Sequence, residues 1–104
     1  MTLSEFSTLL ATTGLPVAFD HFPTPQSLPY IVYVVIENNQ FEADNTVYHS
    51  SPQIQVELYT QYKSEGTEQI LETVLKSVPF TFTKDEGYLT DERMYMVTYQ
   101  FTLR

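Results

Sequence analysis

The sequence predicts an α+β domain: a mixed, mostly antiparallel sheet with two helices packed on one face. Three observations carry this expectation. An apolar stripe at helical spacing opens the chain, a second lies between Ile70 and Val78, and the remainder runs as short apolar or alternating segments separated by turn residues. The predicted order is α-β-β-β-β-α-β-β, in a single domain spanning 1–104.

The first helix has its own start signal. Thr2 can cap it and Glu5, three residues on, completes a capping box while placing a carboxylate at the positive end of the helix dipole. Leu3, Phe6, Leu9 and Leu10 make its apolar stripe, and Gly14 followed by Pro16 ends it. Val17 to Phe22 reads as a short extended piece. Pro23, Pro25 and Pro29 then belong in a loop, since proline cannot donate to a central ladder.

Tyr30 to Ile36 is continuously apolar and rich in β-branched residues, which predicts a strand covered on both faces. Glu37 to Gln40 reads as a turn and Phe41 to Ser50 as a returning strand interrupted at Asp44-Asn45. From Gln53 to Leu58 the chain alternates, with Ile54, Val56 and Leu58 facing inward. Thr67 is the expected cap of the second helix, whose stripe is Ile70, Leu71, Val74, Leu75 and Val78 and whose stop is Pro79. Phe80 to Thr83 is expected as a strand, Lys84 to Gly87 as a polar turn, and Tyr95, Val97, Tyr99, Phe101 and Leu103 as one face of a long last strand.

Charge and composition narrow the function classes. Thirteen acidic residues against five basic ones give a net charge of −8. Such a chain lacks the lysine and arginine needed to displace counterions from nucleic acid or to settle on an anionic membrane. With no cysteine there is no disulfide and no thiol chemistry. The start, Met1-Thr2-Leu3-Ser4-Glu5, does not read as a secretory leader. The apolar run from Tyr30 to Ile36 is far short of the ~20 residues that span a bilayer.

The search for catalytic chemistry returns little. His21 and His49 have Asp20 and Asp44 in their neighbourhoods, but the spacing fits no metal-binding pattern, and solvated or locally hydrogen-bonded histidines are expected. Asp85-Glu86 and Asp91-Glu92 are carboxylate pairs flanking a hairpin turn, without the ~5–9 Å cleft that glycoside chemistry requires. There is no GxSxG elbow and no glycine-rich phosphate loop. The expectation is a protein that is not an enzyme, with no catalytic residue, cofactor or metal.

Surface character is more informative. Tyr59, Tyr62, Tyr88, Met94 and Met96 exceed what one covered sheet face needs, and tyrosine and methionine are favoured at protein–protein contacts. The hairpin from Glu37 to Asp44 carries a polar tip that serves no core and is expected to be a binding loop. The candidate interface is therefore Asn38, Asn39, Gln40, Phe41, Tyr59, Tyr62, Met94 and Met96.

Taken in order, several segments resemble the small tail-completion or tail-terminator proteins of long-tailed bacteriophages and prophages. They are the N-terminal helix, Leu28-Pro29-Tyr30-Ile31-Val32-Tyr33, Ala43-Asp44 within the returning strand, Val56-Glu57-Leu58-Tyr59-Thr60, the following helix, and the closing strand from Asp91 to Leu103. The resemblance covers nearly the whole chain and rests on packing patterns, not on a catalytic signature. It implies an α+β subunit of a ring, commonly hexameric, at the head-proximal end of the tail tube. That ring stops tube polymerisation and joins the tail to the head. The implied partners are further copies of the chain, the major tail tube protein and a head connector or stopper protein. Phage DNA passes through the ring without specific binding, and an acidic lumen would help it slide. The implied location is the virion, after assembly in the bacterial host cytoplasm. Two other readings compete: a head-side connector protein, which would be more helical, and a ligand-binding or regulatory α+β domain of a host, which would be a monomer with a small-molecule pocket.

Overall fold

The structure is a computed structural model and describes residues 1–38, 52–78 and 81–103. Helix α1 runs Leu3–Ala11 and begins as its sequence dictates. The Thr2 hydroxyl accepts from the Glu5 amide at 3.1 Å, and the Glu5 carboxylate accepts from the Thr2 amide at 2.8 Å. Strand β1 (Val17–Phe19) is shorter than the extended piece expected to reach Phe22. Asp20 ends it with φ at +69°, a left-handed conformation that Asp tolerates better than bulkier residues. Strands β2 (Tyr30–Asn38) and β3 (Pro52–Thr60) follow, then helix α2 (Glu65–Leu75) and strands β4 (Thr83–Leu89) and β5 (Met94–Thr102).

The five strands form one sheet in the order β1-β2-β3-β5-β4. Among the described residues only the β1–β2 pair is parallel, with Val17 opposite Ile31; the other three ladders are antiparallel. This is the α+β architecture expected, with the order α-β-β-β-α-β-β among the described residues. The returning strand assigned to Phe41–Ser50 lies outside them.

Several sequence expectations need correction, among them the strand expected from Phe80 to Thr83, since Thr81 and Phe82 precede β4, which starts at Thr83. Helix α2 is capped by Ser64, whose hydroxyl accepts from the Thr67 amide, so the helix starts two residues before Thr67. Both residues are good caps, and the neighbour that happens to have extended backbone takes the role. Lys84 to Gly87 is not a turn but the middle of β4; the turn lies at 90–93, where Arg93 adopts φ +55°. A run of charged residues on an edge strand looks like a turn in sequence, because edge strands carry charge on purpose. Finally, the second face of β2 is covered only in part: both helices pack on the side of Ile31 and Tyr33, and on the other side Val32 is buried at 6% exposure, while Ile36, at the register shift, is 45% exposed.

That covered side holds the core. Phe6 and Leu10 from α1 and Leu71 and Leu75 from α2 meet Ile31 and Tyr33 of β2, Ile54, Val56 and Leu58 of β3, and Val97, Tyr99 and Phe101 of β5. Phe6 sits edge-on to both Tyr33 and Phe101, at 5.9 and 5.2 Å between ring centroids. Burying each such side chain contributes about 1.5–3 kcal/mol. Ile70, which belonged to the expected α2 stripe, is 47% exposed and contributes little of this.

The flank of α2 packs on β4 and β5 through charge. Glu68, only 3% exposed, lies 3.0 Å from the Lys63 ammonium and 2.9 Å from that of Lys84. Lys63 also pairs with Glu86, and Lys84 with Glu72 at 2.7 Å. Each lysine thus bridges two carboxylates, and the hydroxyl of the buried Tyr99 donates to Glu72 at 2.8 Å. Hydrogen bonds that Lys63 donates to Glu86 and then to Glu68 hold it above its ordinary range, and those that Lys84 donates to Glu72 and then to Glu68 do the same for Lys84. No helix of the described residues is long and apolar enough to cross a membrane.

Candidate interaction face

The pleat of the sheet decides which side chains lie on the face away from the helices, where Val32 and Thr98 are themselves buried. Residues directly opposite one another in a ladder share a face, so the registers place Tyr30, Val32 and Val34 of β2 with Gln55, Glu57 and Tyr59 of β3 on the side away from the helices. The next ladder adds Met96, Thr98 and Gln100 of β5, and the last adds Asp85, Gly87 and Leu89 of β4.

Of the candidate interface residues, the structure brings three together. Tyr59 lies directly opposite Met96, and Met94 lies opposite Leu89 on the same face. Tyr62 is not with them: it follows β3, is 69% exposed, and borders a separate depression with Leu28, Pro29 and Lys63. Asn38 ends β2, so Glu37-Asn38 continues the strand where a turn was expected. Asn39, Gln40 and Phe41, with most of the Glu37–Asp44 hairpin, lie outside the described residues.

At one end of this open face is a groove of about 460 Å³. Its floor is Tyr30, Val32, Glu57, Tyr59 and Met94, and its wall is the proline-rich segment after β1. Phe22 from that segment stands edge-on to Tyr30 at 5.3 Å, and Tyr30 leans against Tyr59 at 5.1 Å with 33° between the rings. Pro23 and Pro25, expected only to make a loop, line this groove, while Pro29 borders the depression beside Tyr62.

The polar groups on the floor converge on one carboxylate. Tyr59 donates from its hydroxyl to Glu57 at 2.7 Å, Gln55 donates from its amide to the other Glu57 oxygen at 2.7 Å, and Gln100 donates to Gln55 at 2.8 Å. Aligned donors of this kind polarise one another toward the terminal acceptor. Burial, and then the bond to Glu57, pushes the Tyr59 phenol well above its ordinary range; burial followed by the Glu57 charge raises Tyr30 as well.

No family model matches the sequence, and no curated protein matches it. A solved structure does resemble the fold. It is a chain in the virion of a native gene transfer agent (GTA) particle, with a TM-score of 0.62 and 13% sequence identity over 96% of this chain and 87% of that one. The fold is similar to that of a virion chain.

Sequence reasoning missed Glu57, Tyr30 and Phe22. Glu57 reads as one more outward polar residue of an alternating strand, and Tyr30 as the first residue of a buried one. Only the register, Tyr30 opposite Tyr59 and Val32 opposite Glu57, makes them neighbours. His21 is solvent-exposed and pairs with Asp20 at 2.8 Å, while His49 lies outside the described residues. Asp85 and Glu86 sit on opposite faces of β4, since one is opposite Thr98 and the next opposite Val97. Among the described residues no group of three or more His, Cys, Asp or Glu could hold a metal ion.

Proposed function

We propose that the protein is a structural component of a phage-type virion, and specifically a tail terminator that closes the head-proximal end of the tail tube as a ring, commonly of six copies. The observation that carries this reading is the near full-length likeness of its fold to a virion chain, joined to the sequence pattern of the tail-completion proteins. The layering supports it too, because one sheet face is spent on the core while the other presents Tyr59, Met94 and Met96 for contact. In this reading the protein is not an enzyme and needs no cofactor. Its partners are copies of itself, the tail tube protein and a head connector or stopper protein. The Glu37–Asp44 hairpin, with Asn38, Asn39, Gln40 and Phe41, and Tyr62 beyond β3 take part in those contacts. DNA traverses the ring unbound.

The test uses particles that lack the protein. Their tail tubes are expected to lengthen without control, and adding the purified chain is expected to arrest growth and restore joining to heads, as seen by electron microscopy. Tubes of normal length, joined to heads, in its complete absence would overturn the proposal.

A further inference from the structure

The groove on the open face has a charge with no counterpart. Glu57 accepts from Tyr59 and Gln55, yet among the described residues no lysine, arginine or histidine forms an ion pair with it. Each carboxylate oxygen has capacity for a second hydrogen bond. The chain has only five basic residues, and the two that make ion pairs in the described residues, Lys63 and Lys84, are both committed to the helix side of the sheet. By register the open face carries Glu57 and Asp85, with Glu37 opposite Gln53 at its far end, and no lysine or arginine among the described strand positions.

Around that carboxylate the floor is aromatic and soft. The Tyr30 and Tyr59 rings lie 5.1 Å apart and Met94 borders them, while Glu92 and the Asp20–His21 pair complete the charged lining. A carboxylate beside tyrosine rings suits a planar cation that can stack on a ring and donate through a fork, which describes a guanidinium better than an ammonium. We infer that this groove receives an arginine side chain presented by a partner protein, its guanidinium donating to Glu57 and lying against the Tyr30–Tyr59 pair while its aliphatic stem covers Met94. The inference rests on the assembly reading for the source of the arginine, a partner chain, and not for the chemistry of the groove. A net charge of −8 makes a partner with a basic contact surface the complementary one.

The experiment titrates N-acetyl-arginine amide into the 15N-labelled protein and follows backbone amide shifts, with N-acetyl-norleucine amide as the uncharged control. The arginine probe is expected to shift Tyr30, Val32, Glu57, Tyr59 and Met94 saturably in the millimolar range, and norleucine to leave them unmoved. Glu57→Gln is expected to weaken binding about tenfold, the effect of losing one charge-assisted contact. Tyr30→Leu tests the stacking and is expected to weaken binding with Glu57 intact. Glu65→Gln removes a charge at the start of α2 and is expected to change nothing. Equal loss in Glu57→Gln and Glu65→Gln, shifts centred on Glu65 and Glu72, or no saturable shift would overturn the inference. Addition of the same variants to tail tubes separates the two readings. Saturable arginine binding without tube capping removes the assembly reading alone; capping without arginine binding removes the groove alone.

Discussion

Replacing Tyr99 with Phe isolates one bond in the core. Tyr99 is fully buried, its ring stands edge-on to Phe82 at 5.4 Å, and its hydroxyl donates to Glu72 at 2.8 Å. The substitution keeps the ring and its packing and removes only the donor. The Glu72 oxygen that loses it still accepts from Lys84 at 2.7 Å, so no orphaned charge remains. The cost is therefore at the low end for a hydrogen bond to a charged group, about 1.5 kcal/mol. For a domain of this size that corresponds to a melting temperature lower by about 6 °C, measured by calorimetry or circular dichroism at pH 7.

The same variant has a pH signature. In the folded protein the Tyr99 phenol is held well above its ordinary value of 10.0, first by burial and then by its bond to Glu72. Its proton therefore stabilises the fold below pH 10, and the contribution is lost as pH rises, because the unfolded chain ionises first. Phe cannot ionise, so the gap between wild type and Tyr99→Phe should narrow above about pH 10. A gap near zero at pH 7, or one unchanged up to pH 11, would refute the assignment of a bonded, protonated phenol.

Two other perturbations follow from the same packing. Glu72 and Glu86 are both held below the ordinary 4.5; burial alone would raise Glu72, but bonds from Lys84 and Tyr99 outweigh it, and bonds from Lys63 and Tyr95 lower Glu86. Their contribution is present above pH 4.5 and lost as pH falls, so melting temperature should drop progressively in acid, and less steeply in Glu72→Gln; a flat profile down to pH 3 would count against the network. Leu10→Ala, at a fully buried position beneath the sheet, should cost about 3 kcal/mol in denaturant unfolding, and a loss below 1 kcal/mol would mean that α1 is not seated as described.

The covered half of the fold was legible because it repeats simple signals. The Thr2–Glu5 capping box, the period of two in Gln53–Leu58 and the odd-numbered face of β5 all appear where the spacing placed them. Edge and surface features were less legible, for a physical reason. Thr83–Leu89 carries Lys84, Asp85 and Glu86 because it is an edge, and charge on an edge strand imitates the composition of a turn. The apolar run at Tyr30–Ile36 records contacts on both faces without saying that one face is left partly open. For the site, Tyr59, Met94 and Met96 stood out by residue type. Glu57 did not, because what distinguishes it is its place beside Tyr30 and Tyr59 without an ion-pair partner among the described residues, which the strand pairing sets and the sequence does not show.

One consequence follows from the alternation of β5. Tyr95, Val97, Tyr99, Phe101 and Leu103 point toward the helices, while Met94, Met96, Thr98, Gln100 and Thr102 lie between them on the other side. Residues that face the core and residues that face the open side are therefore interleaved along a single segment. A saturation scan of this strand should separate them with a period of two: odd-numbered substitutions should change how much folded protein a cell accumulates, and even-numbered ones what that folded protein adheres to. Specificity could then drift toward a new partner through every second codon without disturbing the residues that keep the chain folded.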